Sequence, residues 1–207
     1  MKKRKLVRLT TLALLSAIVW LMSFTPLGYF KTVGLEISFL MIPVLIGAIL
    51  LGPTAGAILG LQFGITSFIQ CFGMSGFGTA LMTLNPVATF IVCVPTRLLA
   101  GWIPGLIFRG LSTIDKTPKK LISSIITALS GSLSNTVFFM GTLVLFFWQS
   151  EILISMQTAL GTSNVLWFIL LFVGVQGLIE ILVGAVVAPP ISIALRHATA
   201  RMGLTEQ

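Results

Sequence analysis

Apolar residues fall in long blocks along the chain, and polar residues gather between the blocks rather than alternating within them. A helix crossing the hydrocarbon core of a bilayer needs about 20 such residues. Blocks that approach this length cover about 9–24, 39–51, 54–70, 85–108, 121–147 and 164–190. The pattern predicts an all-α integral membrane protein with six transmembrane helices in one domain spanning 1–207. The second block is short, and Pro43 near its start predicts a kink. Gly52-Pro53 is a turn signal, so the second and third blocks read as two spans or as one re-entrant hairpin. Pro189-Pro190 is read as the end of the last span. Loops are expected at about 25–38, at the Gly-rich 71–84 and at 148–163.

Composition agrees with this reading. The chain is 56% hydrophobic and 9% charged, with a mean hydropathy of +1.07. A soluble domain carries about 25% charged residues. The net charge of +8 would suggest nucleic acid in a soluble protein, but placement decides otherwise. Lys2, Lys3, Arg4, Lys5 and Arg8 precede the first span, Arg109, Lys116, Lys119 and Lys120 separate the fourth and fifth, and Arg196 and Arg201 follow the sixth. Six spans put these three segments on one side, and the excess of Lys and Arg makes that side, with both termini, cytoplasmic. The basic residues are therefore topology signals and lipid-headgroup contacts, and no nucleic-acid partner is expected. The basic N-terminal segment and the apolar run after it have the shape of a signal peptide. No small-x-small cleavage site follows, so the run is read as a retained first helix.

Two spacings suggest helix packing. Gly52, Gly56, Gly60 and Gly64 recur every four residues and give the third span a smooth face for close approach of another helix. Ala13 and Ala17 share one face of the first span, which suits internal packing or a partner protein.

Candidate chemistry lies in the few polar groups inside the spans. An ionisable residue there is costly, and function is the default explanation. Arg97 is twelve residues past Asn85, about 18 Å down the fourth span, and Glu180 is sixteen past Asn164, about 24 Å down the sixth. Similar depth suggests an Arg97–Glu180 ion pair, and the alternative is that Arg97 grips an anionic ligand group with its bidentate fork. Asn135 lies mid-way along the fifth span, and Gln176 one turn outward of Glu180. Gln62 and Gln70 lie on the third span, and Asn85 caps the fourth. Together these suggest a polar cavity among the last three spans, with Asn85 at its outer end, Arg97 and Glu180 at its floor, and Trp167 covering it from outside. Cys71 and Cys93 have no metal spacing and read as small apolar residues; a disulfide would require both to reach an oxidising face. The one histidine, His197, lies near the C-terminus, and no clustered acids, nucleophile–base pair, metal motif or P-loop appears. No catalytic residue, metal site or cofactor is expected, and the chain is not read as an enzyme.

The residues resemble one family over nearly the whole chain: the substrate-binding (S) components of energy-coupling factor (ECF) vitamin transporters. The resemblance is carried by ALLSA at 13–17, PVLIGAILLGPTAGAILGLQFGITSF at 43–68, Asn85-Pro86, PTRLLAG at 95–101, SNT at 134–136 and IEILVGAVVAPPI at 179–191. It implies a vitamin pocket in the outer half of the last three spans, closed by the three loops. It implies docking of Ala13 and Ala17 on a transmembrane coupling subunit, ATP hydrolysis by two cytoplasmic ATPase subunits, and toppling of the S component in the bilayer to release ligand. The chain is most similar to the pantothenate group and the related cobalamin binders. An Asn is expected one turn before Glu180, where this chain has Gln176, and the longer amide reshapes the pocket. Alternatives are another vitamin (cobalamin, riboflavin or folate) or a stand-alone secondary carrier using Arg97 and Glu180 as a charge relay.

Overall fold

A computed structural model of the chain describes residues 2–26, 28–31, 36–114 and 120–201. It is helical, with one two-stranded hairpin. Helix α1 (Lys2–Ser23) leads into strands β1 (Tyr29–Lys31) and β2 (Glu36–Ser38), and then come α2 (Met41–Leu51) and α3 (Pro53–Gln70). A short α4 (Gly76–Leu84) precedes α5 (Pro86–Ile114) and α6 (Leu121–Phe147), and a short α7 (Glu151–Ala159) precedes α8 (Val165–Arg201). Among the described residues, four segments are long and apolar enough to cross a membrane: Lys5–Ser23, Pro86–Ile114, Leu121–Phe147 and Gly177–Arg196. The apolar α2 is shorter, at 11 residues.

The proline signals resolve differently. Pro43 sits in the first turn of α2, where its missing N–H breaks no helical bond, so no kink is needed. Pro53 opens α3 at the position that suits proline, after Gly52 at φ 92° makes the turn. Pro189 and Pro190 do not end α8, which runs on to Arg201, past the expected boundary at 190. Apolar surroundings favour continuing a helix, because a broken one exposes more unpaired backbone than two prolines do.

The glycine ladder packs α3 against α5. Gly64 faces Cys93 and Val94, Gly60 faces the Arg97 carbonyl, Gly56 faces Gly101, and Gly105 of α5 faces Pro53. A Cβ at any of Gly56, Gly60 and Gly101 would overlap backbone of the opposite helix. The pairing holds Arg97 at a set height.

Two of the three expected loops contain helix. Ser75 caps α4 by accepting from the Gly78 N–H at 3.3 Å, and Ser150 caps α7 by accepting from the Leu153 N–H at 3.4 Å. The segment after α1 is the β1–β2 hairpin, antiparallel with Tyr29 opposite Ser38. At the basic end, the last carbonyls of α2 receive arginines from two other helices. Arg8 Nη2 donates to the Leu51 carbonyl at 2.9 Å, and Arg196 Nη2 to the Ile49 carbonyl at 3.2 Å. The Arg196 guanidinium also lies over the Phe108 ring, 4.8 Å from its centroid. These two cations therefore satisfy a helix end, a role beyond the topology signal read from sequence.

Candidate substrate-binding site

Arg97 is the central group. It follows Pro95, whose ring crowds the turn before it and has no N–H to return to that turn. The Arg97 side chain folds back onto this turn, and Nη1 donates to the carbonyls of Val92 at 3.1 Å and Cys93 at 3.3 Å. Its guanidinium carbon lies 4.9 Å from the ring centroids of both Phe63 on α3 and Phe139 on α6. The residue is 9% exposed, and its buried Nε has no hydrogen-bond partner. Aromatic faces and carbonyl oxygens stabilise a cation but leave its charge unneutralised.

The expected Arg97–Glu180 ion pair does not form among the described residues. The Glu180 carboxylate, 8% exposed, instead accepts from the Ser38 backbone N–H at 2.9 Å, tying β2 to α8. The two side chains are nonetheless close in height, as the depth estimate suggested. Gly131 of α6 lies against Pro104 of α5, and Gly184 of α8 lies against Ser132 of α6. Counting from these contacts at 1.5 Å per residue, Arg97 lies level with residue 138 and Glu180 with residue 136, about 3 Å apart along the axis. Height alone did not reveal that a backbone N–H would reach the carboxylate first. That donor is available because α2 starts only at Met41, which leaves Ser38 in the hairpin beside α8. Asn135 lies one residue inward of the Glu180 level, half-buried. The Ser132 hydroxyl below it is buried without a hydrogen-bond partner.

The other expected contacts are placed as follows. Gln70 Nε2 donates to the Ser23 carbonyl, and Ser23 Oγ donates to Thr66 Oγ1 at 2.8 Å. Gln70 thereby joins α3 to α1 and is 6% exposed. Asn85 is exposed, and its Oδ1 accepts from the Ala88 N–H at 3.0 Å, capping α5. Trp167 is 58% exposed and points away from the interior. The backbone of α8 places Gln176 one turn before Glu180; its side chain is outside the described residues.

An aromatic cluster joins Trp148, which reads from sequence as a belt or packing residue, to three phenylalanines that sequence did not single out. Trp148 packs edge-on against Phe168 at 5.5 Å, Phe168 stacks on Phe172 at 5.2 Å, and Phe77 of α4 meets Phe172 at 6.1 Å. Phe168 and Phe172 are four apart and lead along α8 to 176 and 180, a stripe visible in the sequence as one helical face. On α1, Ala13 and Ala17 are both exposed, flanked by exposed Leu6, Leu9, Trp20 and Leu21. They do not pack inside the molecule.

Among the described residues, a buried cation, an amide and a carboxylate thus lie at similar heights, with an aromatic cluster of α4, α6 and α8 nearby. The sequence profile of the ECF transporter substrate-specific component matches residues 7–192. The chain belongs to this family. As an S component it is a transport protein of the bacterial cell membrane, and not an enzyme. It is similar to the Pantothenate transporter PanT of Leuconostoc mesenteroides subsp. mesenteroides, with 27% identity over 192 residues, 92% of this chain and 90% of the relative. It is also similar to the Pantothenic acid transporter PanT of Lactococcus lactis subsp. cremoris strain MG1363, with 31% identity over 120 residues. That alignment covers 53% of this chain and 57% of the relative.

Proposed function

We propose that this S component binds pantothenate and delivers it to an ATP-driven ECF importer. The observation that carries the reading is Arg97, a buried guanidinium with a buried unpartnered Nε and no ion pair among the described residues. A cation held this way is costly until an anion reaches it. Pantothenate carries one carboxylate, and its hydroxyl and amide groups suit Asn135, Gln176 and Glu180. Names of relatives in two genera support the same ligand. In this reading Arg97 binds the carboxylate, and Trp148, Phe168, Phe172 and Phe77 exclude water above it.

The same reading gives six spans, with α2 and α3 as the second and third, and cytoplasmic termini beside the basic segment before α6. Exposed Ala13 and Ala17 dock on the transmembrane coupling subunit, and two ATPase subunits supply the energy. Mass spectrometry of small molecules released from the purified protein tests the ligand. Pantothenate is expected at near-stoichiometric amount; a different vitamin, or none after growth in pantothenate-rich medium, would contradict the assignment.

A further inference from the structure

The chain contains two cysteines, 22 residues apart in sequence, and the fold brings them together. Cys71 ends α3 and Cys93 lies two turns into α5. Their sulfurs are 3.9 Å apart, and both residues are buried. The Gly64 contact sets this spacing, because a Cβ there would come within 2.8 Å of the Cys93 carbonyl. On the other side Gly78 of α4 covers Cys71, with room for hydrogen only: a Cβ would lie 2.7 Å from Cys71 Sγ. The turn that follows Cys71 is exposed, with Phe72 at 66% and Met74 at 52%, and Gly73 adopts φ 113°. Opening of this short turn reaches Cys71 without unfolding a span.

We propose that Cys71 and Cys93 form a redox-modification site, in which a small disulfide oxidant converts the thiol pair to an intramolecular disulfide. The Cys71 thiolate attacks one sulfur of the oxidant, breaks its S–S bond and expels one thiolate. The Cys93 thiolate then attacks the Cys71 sulfur of this mixed disulfide and expels the second. Two protein thiols are oxidised, the oxidant is reduced to two thiols, and the two protons pass to the released thiolates. Bond formation brings the two sulfurs from 3.9 Å to about 2.05 Å. The product staples the outer end of α3 to α5 and encloses α4 in the ring. It also fixes the turn of α5 whose Cys93 carbonyl accepts from Arg97.

The test treats the purified full chain with 2,2′-dithiodipyridine, removes the excess, unfolds the protein in denaturant and alkylates it with maleimide. The expected wild-type product is a monomer lighter by two hydrogens that takes up no maleimide, with a thermal midpoint raised until a reducing thiol is added. Cys71→Ser and Cys93→Ser are expected to give no such product and no change in midpoint. Two maleimides per wild-type chain, two retained pyridyl adducts, or a disulfide-linked dimer would each overturn the proposal.

Discussion

At the scale of single residues, the polar groups inside the spans divide by what already bonds them. Gln70, Ser23 and Thr66 bond one another and join α1 to α3. Asn85 caps a helix. Among the described residues, Arg97 alone is a buried guanidinium with an unpartnered buried nitrogen. Gln70→Ala should therefore reduce stability by about 1 kcal/mol, the scale of one interhelical hydrogen bond, and leave the dissociation constant for pantothenate unchanged. Thermal unfolding with a binding titration separates the two effects. Sequence identified the costly charges, because so few exist and hydropathy marks their surroundings. It did not identify their partners. Glu180 meets a backbone N–H, and any residue at position 38 other than proline would supply one. A pairing of that kind leaves no mark in side-chain identity.

At the scale of elements, the α3–α5 contact determines where Arg97 sits. Gly60 faces the Arg97 carbonyl, so Gly60→Ala pushes backbone against backbone rather than against a flexible side chain. The expected cost is about 1–3 kcal/mol of stability, with pantothenate binding weakened as well because the helix bearing Arg97 must shift. A denaturation series and a titration on the same variant check this. A variant with full stability and full affinity would show that the two helices do not meet at the ladder. The ladder was legible in the sequence as a four-residue period, although its partner helix was not. The short helices α4 and α7 were missed because each is 9 residues long and starts at a serine cap within a Gly- or Ser-containing segment that also suits a loop. Trp167 is exposed because it lies one residue off the face of α8 that carries Phe168, Phe172 and Glu180, a four-residue spacing that the sequence already contained.

At the scale of the whole molecule, the surface and the interior separate the two proposed roles, docking and ligand binding. The small-residue face of α1 is exposed and shares no group with the Arg97 site. Ala13→Trp should abolish uptake by the complete importer in vesicles while leaving ligand affinity of the isolated chain within about 2-fold, since a bulky ring blocks docking and touches nothing inside. Loss of affinity in the isolated chain would contradict this separation. Among the described residues Arg97 is buried with no carboxylate in ion-pair contact, and the central claim is that the ligand supplies one. Calorimetric titration of wild type and Arg97→Ala with pantothenate and with pantothenol, in which a hydroxymethyl group replaces the carboxylate, measures this most directly. The account predicts that wild type loses about 2–5 kcal/mol of binding, roughly 30-fold or more, on changing to pantothenol, and that Arg97→Ala binds the two ligands about equally. Equal affinity of wild type for both ligands, or an undiminished preference for pantothenate in Arg97→Ala, would contradict it.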